Sequence, residues 1–359
     1  MRKRTPKVSV VMSVRDGEKF LSSAVESILN QTFEDYEFII MNDGSTDGTR
    51  KLLESFTDPR IVLINQDKNG LTKSLNKGLA RAQGEYIARM DADDVSLPER
   101  FERQVSYLDE NRDVALVGCI FKEIDEEGNV TALIEVPLDN EEIQWRLLFH
   151  NCFAHSATVF RKRCLSYVGA YDERILYAQD YDLWLRIAKR YKVANIDQCL
   201  HNWRRHTRSS ISEVKNREQY ESAVRISTGA IQRLLPHYLL DDVILESTRD
   251  YVKRNVISGD LKHVEKMFFR VLNAYWDAMP AQHYNGKKIK PVMGTHYLNF
   301  AFLYYERNQM HDFRRCTLRS ITKDWKRFRM GIVFLFFTSL LGKRFSEEVQ
   351  IVKNKFILH

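Results

Sequence analysis

Residues 1–212 predict a doubly wound α/β sheet, mostly parallel with helices on both faces, and residues 213–359 a mainly α-helical region. Three observations carry this. Short apolar runs alternate with amphipathic stretches of about a dozen residues, the pattern of strands joined by crossover helices. Polar loops follow the ends of those runs. Beyond residue 213 glycine and proline thin out and apolar residues repeat at helical spacing, as in Tyr297, Phe300, Ala301 and Tyr304.

Val8-Ser9-Val10-Val11-Met12 is short and apolar, suited to a parallel strand covered on both faces. Phe20, Leu21, Ala24, Val25, Ile28 and Leu29 then share one helical face. Tyr36 to Met41 is the second buried strand. The turn Asn42-Asp43-Gly44-Ser45 follows, and Ser45 or Thr46 is placed to cap a helix carrying Leu52, Leu53 and Phe56. Ile61 to Ile64 is the third strand, and Leu71, Leu75 and Leu79 step by four along the next helix. Gly84 to Met90 is the fourth strand, running into the acidic turn Asp91-Ala92-Asp93-Asp94. In open α/β sheets ligands sit beyond the carboxyl ends of the strands, where the loops 42–47 and 91–94 fall. Residues 114–208 mix strands and helices, which suggests two halves, about 1–112 and 113–212.

At 359 residues with 44% hydrophobic content the chain can bury a sizeable core, and its length suggests two domains. A net charge of +7 is compatible with nucleic acid, an anionic membrane or a phosphorylated substrate, and selects none of them. Cys119, Cys152, Cys164, Cys199 and Cys316 are odd in number and widely spaced, so they read as free thiols in a reducing compartment rather than as a zinc site. The apolar run 8–14 is too short for a secretory signal, and no run reaches the ~18 to 20 residues of a membrane span.

The acidic turn is the strongest chemical signal. On an extended backbone Asp91 and Asp93 point the same way, and their like charges repel unless a cation or protons intervene. Hard oxygen donors suit Mg2+ or Mn2+. The alternative is a solvated turn ahead of a helix starting near Pro98. Asn42-Asp43-Gly44-Ser45-Thr46-Asp47-Gly48 is the second signal, either a helix cap or a place where the Asp43 carboxylate meets a nucleobase or ribose. It matches neither the dinucleotide fingerprint nor the P-loop.

Taken in order, these residues resemble the family 2 glycosyltransferases of the GT-A fold. The carrying segments are 8–14, 42–47, Asn76-Lys77-Gly78-Leu79, Gly84-Glu85-Tyr86-Ile87, 91–94 and Gln179-Asp180-Tyr181-Asp182-Leu183-Trp184-Leu185-Arg186, spanning roughly residues 6 to 210. The resemblance implies inverting transfer from a nucleoside-diphosphate sugar, UDP being common in the family. It implies that Asp43 and Asp91 meet the donor, that Asp93 is the principal metal ligand, and that Asp180 is the general base. Ser13 and Arg15 would form the nucleotide-side loop, although Ser13-Val14-Arg15-Asp16 departs from the usual sequence there. Gln179 stands where the family usually has Glu, removing a charge but keeping an acceptor. Lys73 would touch the donor, or is an exposed helix lysine. In Asn202-Trp203-Arg204-Arg205-His206-Thr207, His206 would be a further metal ligand and Arg204 or Arg205 would neutralise phosphate; a basic surface strand is the alternative. His155, Gln179 and Trp184 would line the acceptor pocket, with a hydrogen-bonded core histidine the alternative for His155. Asp180 alternatively serves only as a carboxylate at a helix N-terminus.

Lys323, Lys326, Arg327 and Arg329 precede the apolar run 330–341, and Lys343 and Arg344 follow it. Too short to span a bilayer, residues 323–344 would lie on an anionic membrane surface, or else form a buried helix or a subunit contact. The resemblance implies a saccharide or lipid-linked saccharide acceptor, bacterial surface polysaccharide or glycoconjugate assembly, a cytoplasmic location peripheral to the membrane, and no nucleic-acid partner. Homo-oligomerisation would run through the C-terminal helices. Two competing readings are a catalytically silent GT-A scaffold and a sugar-nucleotide pyrophosphorylase. The second expects a glycine-rich basic loop after the first strand, where this chain has one glycine, Gly17.

Overall fold

The computed structural model describes residues 5–206, 210–257, 259–278 and 286–323. The run 330–341 and nearly all of 323–344 lie outside the described residues. The chain divides into two compact units, Met1–Ile231 and Gln232–His359.

In the first unit the strands are β1 (Val8–Val14), β2 (Tyr36–Asp43), β3 (Ile61–Gln66), β4 (Tyr86–Met90), β5 (Val95–Ser96), β6 (Val114–Ile124), β7 (Val130–Ile134), β8 (Val159–Arg161) and β9 (Lys192–Arg204). The helices are α1 (Leu21–Leu29), α2 (Thr49–Ser55), α3 (Leu71–Arg81), α4 (Arg100–Glu110), α5 (Asn140–Leu147), α6 (Leu165–Val168), α7 (Gln179–Ala188) and the start of α8 (Ser210–Leu234). One sheet runs in the order β3-β2-β1-β4-β8-β6-β9-β5, with β7 added on β6. The first four of these pair in parallel. Beyond them the sheet is mixed: β8 is antiparallel to both neighbours, β9 parallel to β6, and β5 antiparallel to β9.

Double winding follows from the strand period of two. Val8, Val10 and Met12 of β1 face one core, shared with Ala24 and Ile28 of α1 and Phe101 of α4. Val11 faces the other, shared with Leu75 of α3 and Trp184 and Ile187 of α7. Because β1, β2 and β4 are parallel, the loops after Val14, Asp43 and Met90 all emerge at one edge of the sheet. Gly84 leads into β4 with its N–H on the Ser9 hydroxyl at 2.8 Å. A Cβ there would lie 2.5 Å from the Ser9 nitrogen, so the approach needs glycine.

One expected cap is corrected. Helix α2 begins at Thr49, after Gly48, and neither Ser45 nor Thr46 caps it. Instead the Ser45 hydroxyl accepts from the Asp16 N–H at 3.1 Å and the Thr46 N–H donates to the Asp16 carboxylate at 2.7 Å, which ties the loop after β2 to the loop after β1. The first unit also runs past residue 212, because Ala223 and Ile226 of α8 pack on the core around Trp184 and the Ser227 hydroxyl donates to the Leu148 carbonyl.

The second unit is helical, as its sequence predicts: α9 (Asp242–Arg254), α10 (Leu261–Asp277), α11 (Gly286–Glu306) and α12 (Met310–Lys323). Tyr297, Phe300, Ala301 and Tyr304 are all buried along one face of α11. Among the described residues no helix is long and apolar enough to cross a membrane.

Candidate active site

The acidic turn leaves β4 and its three carboxylates part company. Asp91 accepts from the Nη2 of Arg89, a guanidinium 1% exposed in the middle of β4. Burial raises the Asp91 carboxyl to about 6, against the opposing pull of Arg89. Asp93 is more open, and its Oδ2 lies 2.7 Å from Nε2 of His206, whose pKa this contact raises. Asp94 turns inward. It accepts from the Ser156 hydroxyl, from the Arg204 N–H at 2.7 Å, and lies 3.1 Å from Nε2 of His201. Burial, with the Asp93 charge beside it, lifts its carboxyl to about 7.

Asp91 and Asp93 border a cleft of about 400 Å³ that Ser13, Arg15, Phe20 and His206 also line. The structure thus brings five of the expected residues together: Ser13, Arg15, Asp91, Asp93 and His206. Among the described residues no three metal-binding side chains cluster tightly enough to hold an ion by themselves. Asp93 and His206 offer one oxygen and one nitrogen on the cleft wall. Mg2+ is commonly bound through one or two carboxylates with substrate phosphates and water completing its shell, so Asp93 fits such an ion, while the His206 nitrogen suits a softer divalent ion better.

Asp180 opens α7, which follows Ala178 in a left-handed conformation (φ 60°). Its Oδ2 accepts from Nδ2 of Asn151 at 2.8 Å. Burial pushes its carboxyl up to about 6, and the negative charge of Asp91 adds to that. A carboxylate with that pKa is ionised at neutral pH yet basic enough to take a proton. His155 Nε2 accepts from Arg89 Nε at 3.2 Å and lies 2.8 Å from the Tyr171 hydroxyl. Burial and Arg89 drive the His155 pKa well below its ordinary value, so the ring is neutral.

Other expected site residues are placed differently. Asp43 is 3% exposed, and its oxygens accept from Gln66 Nε2 at 2.7 Å and from the N–H groups of Asn69 and Gly70 at 2.8 Å each. It moors the loop before α3 and does not line the cleft. Lys73 lies on the exposed side of α3, also away from the cleft. Arg204 is 7% exposed and donates to the carbonyls of Asp93, Asp125 and Glu126, with its guanidinium 4.5 Å from the Phe20 ring centre. That guanidinium braces the turn instead of standing free for phosphate. Arg205 turns outward to Glu123 at 3.4 Å. Gln179 is buried at the start of α7. Trp184 is corrected: it is 0% exposed, edge-on to Phe153, His155 and Phe160, because its face of α7 packs on the sheet. It belongs to the core and not to an acceptor pocket.

Sequence reasoning missed Arg89, Asn151 and the Ser156–His201 support of Asp94. A charge inside the apolar strand 86–90 was a signal for the first, since a buried arginine needs a partner. The other contacts join residues 29 to 107 positions apart and carry no local signal.

The sequence profile described as Glycosyl transferase family 2 matches residues 9–166. The O-antigen biosynthesis glycosyltransferase WbnJ of Escherichia coli is 36% identical over 213 residues, which cover 56% of this chain and 81% of WbnJ. The chain belongs to glycosyl transferase family 2. This glycosyltransferase is also similar to the amylovoran biosynthesis glycosyltransferase AmsE of Erwinia amylovora, 37% identical over 198 residues, covering 54% of this chain and 74% of AmsE. Among solved structures, S. aureus TarS 1-349 superposes with a TM-score of 0.52 at 15% identity, covering 90% of this chain and 94% of that one. The mannosyltransferase PcManGT from Pyrobaculum calidifontis, in complex with GDP-Man and Mn2+, gives 0.50 at 15% identity, covering 90% and 88%. The family 2 glycosyltransferase therefore has the GT-A fold.

Proposed function

We propose that this glycosyltransferase moves a sugar, with inversion, from a UDP-sugar to a hydroxyl of a saccharide or lipid-linked saccharide acceptor. The observation that carries the reading is that a candidate ion-binding pair and a candidate base are both linked to the acidic turn after β4. Asp93 and His206 stand on the wall of a cleft, and Asp180, raised to about 6, lies close enough to Asp91 to feel its charge. Asp180 takes the acceptor proton as that oxygen bonds to the anomeric carbon, while the bond to the diphosphate breaks from the opposite side. One displacement inverts the centre, and one base suffices because the diphosphate leaves without a proton. A divalent ion held at Asp93 and His206 would offset the charge of the departing diphosphate. Asn151 holds Asp180 in its ionised form, and Ser13 and Arg15 border the nucleotide side.

The names of relatives support a pathway of this kind: WbnJ is assigned to O-antigen and AmsE to amylovoran, both polysaccharides. TarS has been solved with UDP-GlcNAc, and PcManGT with GDP-Man and Mn2+, so the fold accommodates such donors. Peripheral attachment to an anionic membrane through 323–344 and self-association through the C-terminal helices rest on sequence alone. The first would appear as vesicle pelleting that weakens with salt.

The deciding test is calorimetric binding of UDP with and without Mn2+, on wild type and Asp93→Asn. Loss of one charge-assisted ligand interaction corresponds to about 1.5–3 kcal/mol, so metal-dependent affinity should fall about 10- to 100-fold. UDP binding that ignores both Mn2+ and the substitution would refute the assignment of Asp93.

A further inference from the structure

A cleft in the second unit lies between α10 and α12 and has about 800 Å³, within the size range of ligand sites. Lys262, Lys266 and Arg270 step by four along one face of α10, and Arg315 and Arg319 step by four along α12 opposite. Like charges at that spacing weaken a helix by a few tenths of a kcal/mol per pair, so the stripe does not serve helix stability.

Three carboxylates, Glu265, Asp277 and Asp312, line the cleft beside these five cations and neutralise the stripe only in part. Glu265 is 4% exposed, takes two hydrogen bonds from the Arg315 guanidinium at 2.7 and 2.5 Å, and accepts from the Tyr304 hydroxyl at 2.7 Å. Asp312 is held by Arg315 Nε at 3.0 Å. Arg315 thus engages both of these acids and the exposed Arg319 lies 3.8 Å from Glu265, while Lys262 and Lys266 stay exposed at the rim, which Asp277 also lines. The floor is aromatic. Phe269 stacks on Tyr297 with ring centres 3.9 Å apart and planes 19° apart, and the Arg319 guanidinium lies 5.6 Å from the Tyr297 ring centre.

We propose that this cleft binds an acidic saccharide chain, its cations meeting anionic oxygens and its polar rim the hydroxyls. The choice of a saccharide over other polyanions rests on the transferase reading: a second glycan site raises the effective concentration of a growing acceptor chain. None of these side chains belongs to the cleft at Asp93.

The test is anisotropy titration of a fluorescein-labelled alginate hexasaccharide, an oligouronate, against the full chain and its Lys262→Gln/Lys266→Gln/Arg319→Gln variant. Maltohexaose and a DNA hexanucleotide serve as neutral and nucleic-acid competitors. Three exposed charge contacts together predict binding about tenfold weaker or more in the variant, with stronger binding at low salt. Maltohexaose should not compete, and the hexanucleotide should compete less well than unlabelled oligouronate. Absence of wild-type binding, equal binding by a folded variant, or better competition by DNA would overturn the proposal. A variant whose melting temperature drops would be replaced by Lys266→Glu alone, with the same expectation. UDP-sugar hydrolysis is read in parallel and should be equal in wild type and variant. Its absence in wild type would sink the transferase reading while leaving hexauronate binding to be judged on its own.

Discussion

Replacing Asn151 with alanine removes the side-chain donor that holds the Asp180 carboxylate at 2.8 Å. A hydrogen bond to a charged group contributes about 1.5–3 kcal/mol, and one pKa unit corresponds to about 1.4 kcal/mol. The bond favours the ionised form, so its loss should raise the Asp180 pKa from about 6 by about one to two units. In the proposed mechanism Asp180 is the base, so activity should rise with pH through this pKa. The acidic limb of kcat/KM should therefore move to between about pH 7 and 8. The ionised fraction at pH 7 falls from about nine-tenths to between about half and one-tenth, a loss of about two- to tenfold that vanishes above pH 9. The assay is initial-rate transfer across pH 5 to about pH 9.5 in buffers of constant ionic strength. A limb that stays near pH 6, or a loss equal at every pH, would refute both the role of Asn151 and the assignment of Asp180 as base.

Asp43→Ala removes the acceptor of three part-buried donors, Gln66 Nε2 and the N–H groups of Asn69 and Gly70, and should cost about 1–3 kcal/mol in denaturant unfolding. Because those bonds lower the Asp43 pKa, its contribution is held above the ordinary aspartate pKa and lost on acidification, so Asp43→Asn should flatten the acid limb of the stability curve. Trp184→Ala opens a cavity in a fully buried site and should cost about 3–5 kcal/mol, with the acceptor KM of the remaining folded enzyme unchanged. A selective rise in that KM without lost stability would return Trp184 to the acceptor pocket.

What could be read in advance followed chemistry that is local in the chain. The apolar runs became β1, β2 and β4 because a strand covered on both faces needs side chains that are mostly apolar on both, while β3 at the sheet edge stays half exposed. The acidic turn was legible because it closes a buried strand and stands in order with segments 8–14, 42–47 and 179–186; alone it reads equally as a solvated turn. The same chemistry misjudged Trp184, since an aromatic beside a catalytic segment looks the same whether it faces substrate or core; only the pitch of α7 against the sheet decides. Ser45 and Thr46 were credited as caps because hydroxyls before a helix commonly cap it, yet Asp16, brought close by the parallel pairing of β1 and β2, offered them a better partner. Arg204 looked free for phosphate because sequence does not reveal which carbonyls lie within its reach.

Strand β9 carries one more consequence. It runs 13 residues across the sheet, pairs with β5 and delivers His206 to Asp93, a contact between positions 113 apart. Closing so long a loop is slow compared with forming neighbouring turns and helices. During synthesis the ribosome would release β1 to β4 long before His206 emerged, so the nascent chain could build half its sheet while the cleft wall was still missing. If His206 is the proposed metal ligand, the complete ion site is therefore acquired late in synthesis.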